Sequence, residues 1–170
     1  MKIGILSDSH KKVTLTKQSI EFLKNKDAQY LIHAGDLEIV QNLDLLKNSG
    51  LIYVSVFGNN DYDLIQYAHE YKIEHEPYYF KIKDIKFKLM HIPNHLIPDT
   101  DIVIYGHTHM FEQKYINNTL FLNPGEICAR NKNLTECVLL EITEDKYIIE
   151  YNFKKPDQKD WESKIYTYNR

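Results

Sequence analysis

The first third of the chain alternates short apolar runs with amphipathic segments. Apolar residues 3–6, the run that ends at Ala34, and residues 51–57 predict three β-strands. Between them, residues 13–24 and 37–47 place apolar side chains at helical spacing and predict two helices. Strand–helix–strand alternation predicts parallel strand pairing with right-handed crossovers, as in α/β proteins.

The second half of the chain follows a period of two. Residues 78–83 and 85–90 flank Lys83-Asp84 and predict a hairpin, and Lys81, Lys83, Lys86 and Lys88 are expected on its solvated face. Further strands are predicted at 102–105, 113–116, 120–122, 138–142 and 147–152, with turns at 117–118 and 144–145. Because helical segments become sparse, a second sheet packed on the first is more economical than one long sheet. Residues 1–153 form the predicted domain, while the charged segment 154–170 is either loosely ordered or docked on a neighbour.

Polar side chains follow several of these predicted strands at the point where each strand ends. In α/β proteins, ligands bind in the crevice outside the carboxyl ends of the strands. Two carboxylates, four imidazoles and one carboxamide occupy such positions, namely Asp8, His10, Asp36, Asn59, His91, His107 and His109. Two divalent cations would leave this set about two charges positive, which favours a hydroxide nucleophile and an anionic phosphate ester. Mixed nitrogen and oxygen ligation without thiolate favours Mn, Fe, Zn or Ni.

The ordered motifs resemble those of the calcineurin-like metallophosphoesterases. They are Asp8-Ser9-His10, Gly35-Asp36, Gly58-Asn59-Asn60-Asp61, His91 and Gly106-His107-Thr108-His109, followed by Asn123-Pro124-Gly125. The resemblance covers residues 1–151 and is strongest to the small prokaryotic phosphodiesterases. It implies a four-layer αββα sandwich of two mixed sheets, with a dinuclear metal centre at the strand C-terminal ends. It also implies hydrolysis of phosphate esters by a hydroxide that bridges two metal ions, with manganese as the first expectation.

The resemblance assigns the ligands position by position. It implies that Asp36 bridges both ions, that the first ion is held by Asp8, His10 and His109, and that the second is held by Asn59, His91 and His107. Three positions depart from the family pattern. Asn60 stands where many relatives have a histidine that protonates the leaving group, Ile92 stands where a glycine usually follows the strand-end histidine, and Glu126 replaces a serine.

Three further residues are candidates for catalytic or supporting roles: Asn60, Asp61 and His95. Asp61 is expected to hydrogen-bond to the ligands or their loops, because outer hydrogen bonds orient ligating groups. His95 is either an ordinary loop histidine or a group that donates a proton or binds phosphate. The sequence leaves His33 equally open between a satisfied buried histidine and a partner of the ligands, whereas His69 and His75 are expected to be exposed.

Composition narrows the function classes. A length of 170 residues suits one domain, and a formal net charge of −3 argues against a nucleic-acid partner. The sequence contains no apolar run long enough to cross a bilayer and no cationic leader at its start, and Cys128 and Cys137 suggest two reduced thiols. These features favour a cytoplasmic protein, for which homo-oligomerisation stays open.

The leading hypothesis is a metal-dependent phosphodiesterase that acts on a small-molecule phosphate ester. The motifs leave no room for a large capping insertion, so the cleft is expected to be shallow and open, and Asn60 favours substrates with good leaving groups. The alternative is a catalytically weak or inactive scaffold of the same fold that binds a protein partner. A nuclease for long DNA is less favoured, because the sequence shows no basic stripe.

Overall fold

Two mixed β-sheets pack face to face in the computed structural model, which describes residues 1–170. In chain order the strands are β1 (Lys2–Leu6), β2 (Tyr30–His33), β3 (Ile52–Val56), β4 (Ile73–Glu74), β5 (Tyr78–Ile82), β6 (Ile85–Leu89), β7 (Ile102–Ile104), β8 (Phe111–Ile116), β9 (Thr119–Pro124), β10 (Thr135–Ile142), β11 (Lys146–Lys154) and β12 (Glu162–Asn169). The helices are α1 (Val13–Asn25), α2 (Val40–Lys47) and the short α3 (Ala68–Tyr71), which directly follows a 3₁₀ helix at Tyr62–Tyr67.

The first sheet has seven strands in the order β12-β11-β10-β1-β2-β3-β4, and the second has five in the order β5-β6-β7-β9-β8. Strands β1 to β4 pair in parallel, as the alternation of strands and helices predicted, and β10 joins β1 in antiparallel orientation. In the second sheet β6, β7 and β9 are parallel, while β5 and β8 form antiparallel edges. The predicted sandwich of two mixed sheets is confirmed.

The main apolar core lies between the two sheets. Alternate side chains of each strand enter it, among them Ile5 of β1, Phe87 of β6 and Ile104 of β7, all fully buried. A second apolar cluster lies between the first sheet and its helices, where Leu23 of α1 and Leu46 of α2 are fully buried. Both helices therefore cover the outer face of the first sheet and leave the strand ends free.

The outer face of the second sheet is covered in part by the loop between β6 and β7. Lys88 lies on this face, and its Nζ donates to the carbonyl oxygen of His95 at 3.0 Å and to Asp99 at 3.1 Å. The prediction of a fully solvated lysine face is therefore wrong for Lys88, of which only 1% is exposed. The segment between β6 and β7 folds back over this lysine, and strand periodicity alone could not reveal that contact.

Other differences from the prediction are local. Helix α2 begins at Val40, three residues later than the pattern suggested, because residues 37–39 belong to the loop after β2. The helical turns at residues 62–71 and the short strand β4 were not predicted, although His69 and His75 are exposed as expected. None of the helices is long and apolar enough to span a membrane.

The C-terminal segment ends in an edge strand. Strand β12 pairs antiparallel with β11 along its whole length. Ahead of it, Trp161 stacks on Phe22 of α1 with ring centroids 4.5 Å apart. Tyr166 and Tyr168 of β12 pack against Phe111 and Tyr115 of β8, the edge strand of the second sheet. The C-terminal segment therefore contacts both α1 and the second sheet.

Candidate metal centre

The seven predicted ligands lie at one end of the sandwich. Asp8, Asp36 and Asn59 follow strands β1, β2 and β3 of the first sheet. From the second sheet, His91 follows β6, and both His107 and His109 follow β7. Five of the seven hold a positive φ between 46° and 67°, namely Asp8, His10, Asp36, His107 and His109. Such left-handed backbone is uncommon outside glycine and concentrates at functional sites.

Two glycines permit the close approach of these loops. A Cβ at Gly58 would overlap the backbone nitrogen and the carboxylate of Asp36. A Cβ at Gly106 would lie 2.8 Å from the carbonyl oxygen of Ala34 and would overlap the Ser7 hydroxyl. Larger side chains at either position would therefore push the strand ends apart.

One cluster of donor atoms forms around Asn59. Its Oδ1 lies 3.0 Å from His91 Nε2 and 2.9 Å from His107 Nδ1. His91 Nδ1 lies 2.7 Å from the carbonyl oxygen of Ala34, which can only accept, so Nδ1 carries the hydrogen. In a neutral ring the lone pair is therefore on Nε2, which faces the centre.

A second cluster forms around His10 and His109, whose Nε2 atoms face each other at 3.4 Å. His109 Nε2 lies 3.2 Å from Asp8 Oδ1, a buried oxygen that makes no hydrogen bond. The other ring nitrogen of each histidine meets a carboxylate, since His10 Nδ1 bonds Glu38 and His109 Nδ1 lies 2.6 Å from Glu126 Oε2. These carboxylates fix the hydrogen on Nδ1 and leave the lone pair of Nε2 free to bind a metal ion.

Asp36 lies between the two clusters. Its Oδ2 is 3.4 Å from His91 Nε2 and 3.9 Å from His10 Nε2. The backbone N–H and the side-chain amide of Asn60 donate to the same carboxylate at 2.9 and 2.7 Å. Burial opposes ionisation of Asp36, but His91 and Asn60 hold the pKa of its carboxyl well below the usual range. This carboxylate is therefore an anion positioned to contact both clusters.

Glu126, like Glu38, is a supporting residue whose role the sequence did not reveal. It is fully buried and accepts backbone N–H groups of Asn131 at 2.6 Å and Lys132 at 3.2 Å on Oε1. The Cys128 thiol and His109 engage Oε2. Burial opposes ionisation, yet these bonds lower the pKa of Glu126 to about 2. Its replacement of the family's serine was the one sequence signal.

Asp61 lies behind the ligands and fastens two loops together. It accepts backbone N–H groups from Asp36 at 2.9 Å, from Glu38 at 2.6 Å and from Gly58 at 2.7 Å. Burial raises the pKa of this carboxyl, and the backbone donors oppose that rise. The bonds occupy both oxygens, so Asp61 holds the loops that carry Asp36 and Asn59.

The other candidate histidines occupy different surroundings. His95 is exposed, lies in the loop over Lys88, and lines a small cleft with Glu76 and Asn94 apart from the seven converging residues. His33 is fully buried, and its Nε2 lies 2.7 Å from the hydroxyl of Ser9, the residue between the predicted ligands Asp8 and His10. Burial lowers the pKa of His33 to about 3, which keeps this ring neutral.

The donor set fits divalent transition metals. The ligand atoms of Asp8, Asp36 and His91 lie within 4.8 Å of one another, as do those of His10, His109 and Cys128. Neutral imidazoles and carboxylates are ligands that Mn, Fe, Zn and Ni accept, and His10, His91 and His109 have the outer hydrogen bonds usual for metal sites. The unpartnered Asp8 Oδ1 is an oxygen that a cation would satisfy.

Comparison with known proteins identifies the family. The family model described as the calcineurin-like phosphoesterase superfamily domain matches residues 1–145. Phosphodiesterase MJ0936 from Methanocaldococcus jannaschii is 26% identical over 160 residues, which cover 86% of this chain and 96% of that protein.

Two solved structures share the sandwich. One, described as a novel archaeal phosphodiesterase, superposes with a TM-score of 0.76 at 23% identity and covers 98% of this chain and 100% of its own. The other is wild-type Vps29 from Entamoeba histolytica complexed with Zn²⁺, with a TM-score of 0.70 at 22% identity and coverage of 99% of both chains. At these identities the likeness establishes the fold.

Proposed function

The chain belongs to the calcineurin-like phosphoesterase superfamily, and from this membership we propose that it hydrolyses phosphodiesters with two divalent metal ions. Asp8, His10 and His109 would hold the first ion, and the second would be held by Asn59, His91 and His107. Asp36 would bridge the two. When bound, such ions activate water at neutral pH and neutralise charge on the phosphate. Manganese is the first choice, with nickel, zinc and iron as the other candidates.

The observation that carries this proposal is the convergence of donor atoms from both sheets. The Nε2 atoms of His10 and His109 approach to 3.4 Å, a spacing at which neither can satisfy the other if both are lone-pair acceptors. Their Nδ1 hydrogens are committed to Glu38 and Glu126. A shared electrophile at the centre accounts for this arrangement, since two acceptors facing each other are otherwise unfavourable.

The preference for diesters over monoesters rests on access and on the leaving group. Asn59 and Asn60 at the rim are exposed, and no inserted domain covers them. A diester with two substituents needs such an open site. Asn60 cannot deliver a proton, so substrates whose leaving oxygen is stable as an anion are favoured.

Replacing Asp36 by Asn tests the proposal. We expect Asp36→Asn to lose activity on bis(p-nitrophenyl) phosphate and much of its metal, because the bridging charge disappears, while circular dichroism stays unchanged. Turnover should be measured with added Mn, Ni, Zn and Mg, and metal content by elemental analysis. Asp84→Asn, in the exposed turn between β5 and β6, is the matched control. Near-normal turnover in Asp36→Asn would overturn the assignment of the bridge.

A scaffold that binds a protein partner is the second candidate. The fold is shared with Vps29, a vacuolar protein sorting protein. On the outer face of the second sheet, Leu96, Ile116 and Phe121 line an open cleft of about 310 Å³. Two metal ions per chain without turnover of any phosphate ester would favour the scaffold.

A further inference from the structure

A cavity of about 440 Å³ lies beside the donor-atom cluster formed by His10 and His109. Its wall comes from three segments of the chain: the loop before α1, the loop after β2 and the connection between β9 and β10. The lining residues are His10, Lys11, Lys12, Glu38, Cys128, Ala129 and Arg130. His10 belongs both to this wall and to the candidate metal centre, so the cavity begins where the centre ends.

The charge of the wall is strongly unbalanced. Lys11, Lys12 and Arg130 contribute three positive charges, and Glu38 is the one carboxylate. Glu38 uses Oε1 on His10 Nδ1, and its Oε2 lies 3.8 Å from Lys11 Nζ. Lys11 is paired with Glu38, whereas Lys12 and Arg130 have no carboxylate within 4.0 Å. Two cations therefore line the cavity without a partner.

Two features separate this arrangement from ordinary solvated surface charge. The protein carries a formal net charge of −3, so an uncompensated cationic wall runs against the average of the molecule. The cations also come from sequence positions more than a hundred residues apart and meet only at the edge of the centre. A concave wall with one sign of charge concentrates ligands of the opposite charge.

We propose that this cavity binds a second phosphate group carried by the substrate. Resting on the proposed function, the inference narrows the substrate class to phosphodiesters in which one substituent bears its own phosphate, as in a nucleoside phosphate. The scissile diester occupies the metal centre, and the second phosphate reaches Lys12 and Arg130 past His10. A phosphate group of about two negative charges matches the two unpartnered cations, and the Arg130 guanidinium can bind two of its oxygens at once.

A matched pair of chromogenic substrates tests this subsite. Thymidine 5′-(p-nitrophenyl phosphate) and its 3′-phosphorylated form share the same scissile bond and leaving group. We expect the metal-loaded wild-type protein to prefer the 3′-phosphorylated form about 10-fold or more in kcat/KM, since charge-assisted hydrogen bonds contribute on that scale. The preference should lie in KM, because the second phosphate is remote from the reacting atom. Added salt should reduce it.

Variants of the wall decide the outcome. Arg130→Gln and Lys12→Gln should each lower the preference several-fold, whereas Lys159→Gln, an exposed lysine in the C-terminal segment, should retain it. A ratio near one in the wild type, or a ratio that survives both substitutions, would overturn the subsite while leaving the phosphodiesterase intact. Failure to hydrolyse either substrate, with two metals bound, would instead refute the proposed function. Lys12 and Arg130 are both exposed, so neither substitution disturbs the core. If one variant nevertheless fails to fold, the other still tests the subsite.

Discussion

Two carboxylates distinguish the two halves of the candidate centre at the scale of single residues. Glu38 and Glu126 stand behind His10 and His109, whereas His91 is held by the backbone carbonyl of Ala34. A carboxylate behind a ligating histidine raises the basicity of the ring and fixes its orientation. The side of the centre that contains His10 and His109 should therefore bind metal more tightly than the side that contains Asn59.

Glu126→Gln tests this inequality. The amide keeps the size of the side chain but removes its charge and presents an N–H to a ring nitrogen that already donates. We expect the tighter of two Mn²⁺ binding steps to weaken about 10–100-fold, with a smaller effect on the other step. Titration calorimetry measures both steps. Glu112→Gln, whose carboxylate bonds Tyr105 outside the centre, is the control, and unchanged binding in Glu126→Gln would contradict the argument.

Asn60 is the second residue with a separable role. Its amide donates to Asp36 and lies at the exposed rim, where the family's proton donor would stand. Asn60→His should accelerate hydrolysis of an alkyl diester far more than that of a nitrophenyl diester, because general acid catalysis contributes ~10²–10⁴-fold only where the leaving oxygen needs a proton. The comparison of kcat on the two substrates checks it. Equal effects would mean that another group already supplies the proton.

Among the elements, the connection from β6 to β7 depends on one buried lysine. Lys88 anchors residues 92–99 through the carbonyl of His95 and the carboxylate of Asp99. The Tyr79 hydroxyl of β5 also donates to Asp99 at 2.9 Å, and several loop residues are exposed. The loop begins directly after His91, so its position also bears on the edge of the metal centre.

Lys88→Met should release this loop. The apolar chain keeps much of the volume but cannot bond the loop, and we expect a loss of roughly 1–3 kcal/mol in the free energy of unfolding. Hydrogen exchange in residues 92–99 should increase, while metal content stays near that of the wild type. Lys86→Met, on the exposed part of the same strand face, is the matched control. Equal exchange in the two variants would show that Lys88 does not hold the loop.

For the whole molecule, the candidate metal ions would act as a clamp between the sheets. Asp8, Asp36 and Asn59 come from the first sheet, and His91, His107 and His109 come from the second. A metal ion that requires ligands from both sheets binds the folded protein and has no equivalent site in the unfolded chain. Its binding free energy therefore adds to the stability of the sandwich.

Removal of metal should lower the melting temperature. With Mn²⁺ at a hundred times its dissociation constant, one site contributes about 2.7 kcal/mol, and for a chain of this size that corresponds to roughly 5–10 °C. Differential scanning calorimetry with Mn²⁺ and with EDTA measures the shift. Asp36→Asn should show little of it, and an equal shift in that variant would place the stabilising metal elsewhere.

The amino-acid sequence by itself determined the elements that carry the site. Apolar runs of four to seven residues with polar residues at their ends define where strands stop, and parallel pairing brings those ends to one edge. Asp8, Asp36, Asn59, His91, His107 and His109 could therefore be grouped before any coordinates, because each lies next to its strand in the chain. The same local logic gave α1 and the β5–β6 hairpin.

Tertiary structure alone decided which side chains meet across the sequence. Glu126 reaches His109, Lys88 is buried by residues 92–99, and β12 joins β11, although no local period marks these contacts. The cationic cavity is likewise formed by Lys12 and Arg130, which are neighbours only in the folded chain. Periodicity reports the face that a side chain occupies within its own element. The packing of loops and sheet edges fixes its partner on another element, and that packing is a property of the whole chain.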